Sequence, residues 1–164
     1  MKSIRKNIFE TNSSSTHSVS FCNDMSNYST DLTVESYDDC VHVNLGQFGW
    51  QVEDYGNTYD KLSYLLTFIC QVNRLISWCD NYSDEEIEQI LDDIYELSDF
   101  KEIESCVMSN INCSGIRIDS IEGYIDHQSI YGDTLQEYLS VEGVDSVQTY
   151  LFGDVVLHTD NDNH

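Results

Sequence analysis

The sequence predicts a single α+β domain, and three observations lead to that prediction. The chain has 164 residues, the length of one domain. Hydrophobic residues make up 40% of it, with eleven Tyr and six Phe, so a core can be buried. Helical periods and strand-like alternations are intermixed without regular βαβ spacing, which favours α+β over a doubly wound sheet. We expect one compact domain over residues 1–158 and a polar tail at 159–164.

The first third of the chain, residues 1–56, is predicted to be extended and rich in turns. Residues 17–22 and 40–45 alternate polar and apolar side chains, the pattern of half-buried strands. A glycine-rich loop is expected around Trp50. Proline is absent from the whole chain, so turns depend on Gly, Asn, Asp and Ser.

An antiparallel pair of helices is predicted at about 58–79 and 84–97. The first has one wide apolar stripe at helical spacing, formed by Leu62, Leu65, Leu66, Ile69, Val72, Ile76 and Cys79. The second begins with Ser83 and Glu86 in the S-x-x-E arrangement of a capping box. Apolar residues at helical period follow. We expect the pair to pack against a small, mainly antiparallel sheet.

The remainder of the chain is predicted to hold one longer helix and several short elements. The expected order is a helix ending near Asn110, strands at 115–119 and 123–126, short helices at 133–139 and 145–152, and a closing strand at 155–158. These expectations rest on alternation for the strands and on Asp side chains as helix caps.

Charge is the outlying property of the composition. Thirty acidic residues face seven basic ones, giving a formal net charge of −23. Beyond position 7 the only bases are Lys61, Arg74, Lys101 and Arg117. Such a field repels nucleic acid and anionic membranes and attracts basic surfaces. We therefore expect a basic protein partner, and neither direct nucleic-acid binding nor membrane binding. The alternative is an acidic protein whose charge serves solubility alone.

The second predicted helix concentrates this charge on the side opposite its apolar stripe. The candidate partner-binding residues are Glu85, Glu88, Asp92, Asp93, Glu96 and Asp99. Successive turns present carboxylates about 5–6 Å apart. A rigid row of this kind can imitate a phosphate strand and occupy a basic nucleic-acid channel. The alternative is an ordinary solvated helix face.

Aromatic side chains beside acidic ones are candidates for a protein interface. Trp50, Tyr55 and Tyr59 lie in or next to the loop before the first helix, with acidic residues among them. Aromatic residues supply much of the energy of protein interfaces, while carboxylates at the rim speed encounter. The alternative is that these rings close the core of a small domain.

The N-terminal segment raises a different class of function. Arg5, Ser13, Ser14, Ser15 and His17 are candidates for phosphate binding or for nucleophilic catalysis. Catalysis needs an oriented base and an oxyanion site, and the sequence shows neither. No Gly-rich loop supports phosphate binding. The alternative is a turn held by short hydrogen bonds from side chain to backbone.

The cysteines and the hydropathy of the chain indicate where in the cell the protein is expected. The six cysteines form no C-x-x-C pair, and we expect reduced, mainly buried thiols in a cytosolic protein. No apolar segment reaches the 18 or so residues that span a bilayer. Histidine and cysteine show no zinc spacing, so we expect no metal and no other cofactor.

The opening stretch, R-K-N-I-F-E-T-N-S-S-S-T-H-S at residues 5–18, resembles the N-terminal signature of small, mostly uncharacterised phage and prophage proteins. The resemblance implies a phage or mobile-element origin, and it assigns no site residues. Together with the expected reduced thiols, it leads us to expect a location in the cytoplasm of the bacterial host cell. Small acidic phage proteins include anti-CRISPR proteins and restriction inhibitors that mimic DNA. We therefore expect an inhibitor without enzymatic activity that binds the basic nucleic-acid-binding surface of a host defence protein, a CRISPR effector nuclease being favoured. The alternatives are a phosphate-binding or hydrolytic protein and a phage structural or assembly component.

Overall fold

The computed structural model describes residues 15–21, 31–78, 81–126 and 132–161. Within these ranges the α+β prediction is confirmed. The helices are α1 (Thr58–Val72), α2 (Asp84–Glu96), α3 (Ser98–Asn110), α4 (Leu135–Val141) and α5 (Val147–Phe152). The strands are β1 (Ser15–Phe21), β2 (Val34–Glu35), β3 (Cys40–Asn44), β4 (Gln47–Phe48), β5 (Glu53–Tyr55), β6 (Gly115–Ser120), β7 (Tyr124–Ile125) and β8 (Val155–Asn161).

The described strands form three small sheets. One has the order β1-β8-β5 and is antiparallel throughout. The second, β2-β3-β6, joins β2 and β3 antiparallel and β3 and β6 parallel. The third is the parallel pair β4-β7. Strand β8 runs three residues past its predicted end at His158, because β1 pairs with it as far as the Ser15–Asn161 register.

Helix α1 is the centre of the core, and every residue from Lys61 to Cys70 is buried. Its start is capped by Asn57, whose side-chain oxygen accepts the Asp60 N–H at 2.8 Å. The predicted end near residue 79 is wrong, since the helix stops at Val72. Arg74 takes a left-handed backbone conformation with φ of 59°, which ends the helical run. The apolar spacing in the sequence extends beyond Val72 because Ile76, in the following loop, is also buried.

Both predicted helices are present, and α3 contacts each of them. The capping box of α2 is confirmed: the Glu86 N–H donates to Ser83 Oγ at 3.3 Å, and the Ser83 N–H donates to Glu86 Oε2 at 2.7 Å. Ile94 is the only fully buried residue of α2, whereas its other apolar side chains are half-buried. Helix α2 therefore lies at the edge of the core and presents most of its surface to solvent.

Two further properties concern the thiols and the length of the helices. Cys40, Cys70, Cys106 and Cys113 are free thiols, and the first two are buried. Burial raises the pKa of the Cys70 thiol to about 12. None of the helices in the described ranges combines the length and the apolar character needed to cross a membrane.

Candidate functional site

The solvent-facing surface of helix α2 carries a dense group of carboxylates. Seven of the thirteen residues of this helix are acidic, and none is basic. Five of the predicted partner-binding residues are exposed, and we call them the acidic face: Glu85, Glu88, Asp92, Asp93 and Glu96. They point to solvent because the opposite side of the helix packs against the core through Ile94 and its half-buried neighbours.

Few groups neutralise the acidic face. Asp93 accepts a hydrogen bond from the Gln89 side chain at 3.0 Å, and Glu96 forms an exposed ion pair with Lys101 at 3.4 Å. In the part of the chain that the structure describes, Glu85, Glu88 and Asp92 have no hydrogen-bond or ion-pair partner within the protein. Their carboxylates are therefore available to cations from outside.

Asp99 has a different position from the other predicted contacts. It is half-buried, and its carboxylate accepts the Leu135 N–H at 3.3 Å. Leu135 is the first residue of α4, where an acidic acceptor stabilises unpaired backbone N–H groups. This contact gives Asp99 a role in joining α3 to α4.

Exposed acidic residues also occur away from α2. Glu35 ends β2, Glu53 and Asp54 lie in β5, and Asp133 and Asp154 lie in loops. The anionic surface is therefore broad, and the acidic face is its densest helical part rather than its whole extent. A partner attracted by total charge alone could therefore bind at several places on this surface.

The three predicted aromatic contacts do not form one surface. The Tyr55 ring packs edge-on against Phe48 with centroids 5.5 Å apart, and its hydroxyl donates to Glu53. The Tyr59 hydroxyl accepts the backbone N–H of Asn44 at 3.1 Å. Both tyrosines are half-buried and belong to the scaffold, so among the three only Trp50 is exposed.

Trp50 instead joins an aromatic cluster that sequence reasoning missed. Its ring centroid lies 5.6 Å from that of Trp78, and the Trp78 centroid lies 6.3 Å from that of Tyr124. We call these three residues the aromatic cluster. A pocket of about 260 Å³ opens beside it. The three rings come from distant parts of the chain, and no local pattern signals that they meet.

A second group missed by sequence reasoning surrounds His42 on the outer side of β3. The imidazole Nδ1 lies 2.7 Å from Asp119 Oδ1, and Nε2 lies 2.7 Å from Asp38 Oδ2. Hydrogen bonds first to Asp119 and then to Asp38 raise the pKa of His42 above its ordinary value. Both nitrogens face acceptors, so the geometry suits the imidazolium form. The sequence predicted a half-buried strand at residues 40–45 but did not indicate the two carboxylates around His42.

Asp119 reaches His42 through an irregularity of the parallel ladder. Val43 pairs with Ile118, whereas Asn44 pairs with Ser120, so Asp119 is the extra residue of a β-bulge. Desolvation opposes ionisation of the partner Asp38, but hydrogen bonds from His42 and from the Cys40 N–H lower the pKa of this carboxyl. The group is a charge-paired cluster that links the sheet to the preceding turn.

The N-terminal candidates are only partly visible. Arg5, Ser13 and Ser14 lie outside the described residues, and Ser15 begins β1. His17 is buried with 1% exposure, and its Nδ1 lies 2.8 Å from the Tyr64 hydroxyl. A buried imidazole of this kind contributes to the core and is shielded from a substrate in solution.

Gly49 shows how closely the chain packs around this histidine. It has φ of 95°, and a Cβ at this position would lie 2.7 Å from His17 Nε2. Only glycine combines this backbone conformation with the available space. The contact ties the loop before Trp50 to β1.

Comparison with known proteins returned no relative of this chain: no family model, no curated protein and no solved structure matches it. Among the residues with described positions, no three His, Cys, Asp or Glu side chains are grouped as ligands of a metal ion. Function has to be inferred from the chemistry of the surfaces described above.

Proposed function

We propose that this protein binds the basic nucleic-acid-binding surface of another protein and thereby excludes nucleic acid from it. The observation that carries the proposal is the acidic face, whose carboxylates are exposed, closely spaced and almost without internal partners. Lys and Arg side chains that hold phosphates are the groups that such a face attracts.

The spacing on α2 supports this kind of recognition. Glu85, Glu88, Asp92 and Glu96 follow one another along one side of the helix over about 16 Å, since each residue adds about 1.5 Å. One strand of duplex DNA carries a charge about every 3.4 Å. Basic side chains arranged to hold several consecutive phosphates therefore meet several carboxylates over the same length.

The stability of α2 does not account for the acidic residues in its second half. Acidic residues in the first turn interact favourably with the helix dipole. Asp92, Asp93 and Glu96 lie toward the C-terminal end, where the dipole disfavours negative charge. No basic residue occurs in the last turn to compensate them. Like charges one turn apart add about 0.2–0.5 kcal/mol of repulsion each. Binding to an external cationic partner would explain why these carboxylates are present although their mutual repulsion destabilises the helix.

Within this class, the favoured partner is a nuclease of a host defence system, and a CRISPR effector nuclease in particular. This part of the proposal rests on the resemblance of residues 5–18 to phage proteins and on the sign of the charge. Competitive occlusion is the mechanism: the acidic face pairs with the cations of the partner's nucleic-acid channel, and the nucleic acid is kept out.

The test compares two variants with equal net charge. The first carries Glu85→Gln, Glu88→Gln and Asp92→Asn on the acidic face. The matched control carries three exposed changes elsewhere: Glu35→Gln, Asp133→Asn and Asp154→Asn. Wild type and both variants are immobilised and exposed to a bacterial lysate, and the retained proteins are identified by mass spectrometry.

Wild type and the control variant are expected to retain a nucleic-acid-binding protein that added DNA displaces, while the α2 variant loses it. Retention should weaken between about 0.1 M and 1 M salt, because the screening length falls from about 10 Å to 3 Å. Equal loss in both variants would show that total charge matters and the position on α2 does not. Captured proteins that do not bind nucleic acid would contradict the proposal outright.

A further inference from the structure

The two tryptophans of the chain meet at the protein surface. Trp78 is 59% exposed and Trp50 is 38% exposed, although both are large apolar side chains that burial would stabilise. Tyr124 continues the cluster and is half-buried. Neighbouring aromatic rings that are partly exposed beside a pocket are typical of a binding site.

Internal hydrogen bonds hold the aromatic cluster in place. The indole N–H of Trp50 donates to Gln47 Oε1 at 3.1 Å, and Gln47 Nε2 donates to the backbone carbonyl of Glu122 at 3.3 Å. Gln47 is also the register partner of Tyr124 in the β4-β7 pair. The Trp50 indole and the Gln47 side chain are thus held by internal hydrogen bonds beside the pocket.

The adjoining pocket, of about 260 Å³, combines aromatic walls with neutral and acidic groups. The residues that line it include the aromatic Trp78, Tyr82 and Tyr124, the amide residue Asn81 and the acidic Glu122. Among the described residues that line it, none is Lys or Arg. Glu122 is exposed, and within the described ranges its carboxylate has no hydrogen-bond or ion-pair partner.

These properties select a ligand by charge and shape. The faces of Trp and Tyr rings attract cations, and a free carboxylate beside them adds an ion pair. A guanidinium group suits both at once, because it is planar, stacks on aromatic rings and pairs with carboxylates through two N–H groups. Anionic ligands are disfavoured by the net charge of −23.

We propose that this pocket binds the side chain of an arginine presented by a basic protein. The identity of that protein rests on the proposed function, in which the partner surface is rich in Lys and Arg. The affinity of the pocket for a guanidinium group is independent of α2 and can be measured with a small probe.

The experiment uses tryptophan fluorescence, excited at a wavelength that tyrosine does not absorb, because both tryptophans belong to the aromatic cluster. The protein is titrated at constant ionic strength with N-acetyl-arginine amide. The matched probe is N-acetyl-citrulline amide, which has nearly the same shape but no charge. Saturation is expected in the millimolar range for the arginine probe, with affinity about tenfold lower for the citrulline probe.

Two variants with equal change of charge test the site. Glu122→Gln is expected to weaken binding of the arginine probe about fivefold, as for the loss of one exposed ion pair. Asp133→Asn, in a loop that does not line the pocket, should leave the affinity unchanged. Thermal unfolding of both variants checks that the fold is intact.

Equal affinity for the arginine and citrulline probes would overturn the proposal, as would equal weakening by both substitutions. The α2 variant distinguishes this proposal from the previous one. If it still binds the arginine probe but captures nothing from a lysate, the two sites act separately and both proposals stand. If the wild type binds the probe and also captures no nucleic-acid-binding protein, the pocket stands and the proposed function fails.

Discussion

Replacement of Lys61 by Met is expected to remove a specific pH dependence of folding. Lys61 is a cation in the core, with 1% exposure, and its ammonium group donates to the Val155 carbonyl at 3.0 Å. Burial lowers the pKa of Lys61 from 10.5 to about 8, although Asp154 and Asp31 act in the opposite direction. The protonated form therefore destabilises the native state relative to an unfolded chain.

The magnitude follows from the difference between the two pKa values. A fall from 10.5 to about 8 corresponds to at most about 3 to 4 kcal/mol, since each unit is about 1.4 kcal/mol. About 2 kcal/mol of this is recovered between pH 8 and pH 10, because the unfolded pKa of 10.5 lies above that range. Between pH 8 and 10.5 the unfolded chain binds more protons than the native state, so this contribution makes the protein more stable as pH rises. Below pH 8 the contribution is constant.

The assay is urea unfolding of the wild type and Lys61→Met at intervals from pH 7 to 10, followed by circular dichroism. Burial is the largest cause that raises the pKa of Tyr55 and of Tyr138, and neighbouring groups add to it. Both tyrosines therefore lower the free energy of unfolding at high pH, in the wild type and in the variant alike. The contributions of the tyrosines cancel when the free energy of unfolding of Lys61→Met is subtracted from that of the wild type. This difference should shift by about 2 kcal/mol in favour of the wild type from pH 7 to 10. Parallel pH profiles would refute the assignment of a desolvated ammonium group at this position.

Three further outcomes are expected. Ser83→Ala should cost about 1 kcal/mol of unfolding free energy in urea, because it removes half of the capping box; an unchanged midpoint would contradict that role. Asp119→Asn should lower the pKa of His42 in an NMR titration, since the Asp119 hydrogen bond is the largest cause of its rise. The stabilisation from protonated His42 is complete below about pH 6.5 and is lost as pH rises through the higher native pKa. Alkylation of the native protein at pH 8, mapped by mass spectrometry, should reach the half-buried Cys106 before the buried Cys70, and the reverse order would be inconsistent with the fold.

Local patterns predicted the elements well where their signals lie within a few residues. The capping box at Ser83 and Glu86 located the start of α2, and alternation located β3 and β6. The end of α1 was missed because the apolar spacing continues into the following loop, where Ile76 is buried although most of its neighbours are exposed. A left-handed residue such as Arg74 leaves no clear mark in the sequence, since its conformation depends on how the following loop packs.

Among the candidate site residues, too, those with a local signal were predicted correctly and those fixed by tertiary contacts were not. The exposed carboxylates of α2 were predicted, because helical period alone places them opposite the apolar stripe. Asp99 was assigned to the same surface, but contact between α3 and α4 turns it to the Leu135 N–H. Tyr55 and Tyr59 looked like surface aromatics, yet Phe48 and the backbone of Asn44 hold them in the scaffold.

The sequence by itself determined the charge, the class of fold and the acidic face, because each depends on composition or on spacing within one helix. Tertiary structure decided which distant side chains share a surface. Trp50, Trp78 and Tyr124 meet where the β4-β7 pair and the loop after α1 come together, and Asp119 meets His42 through a bulge in the β3-β6 ladder. Such contacts arise from strand register and core packing across long stretches of chain, which no local pattern encodes.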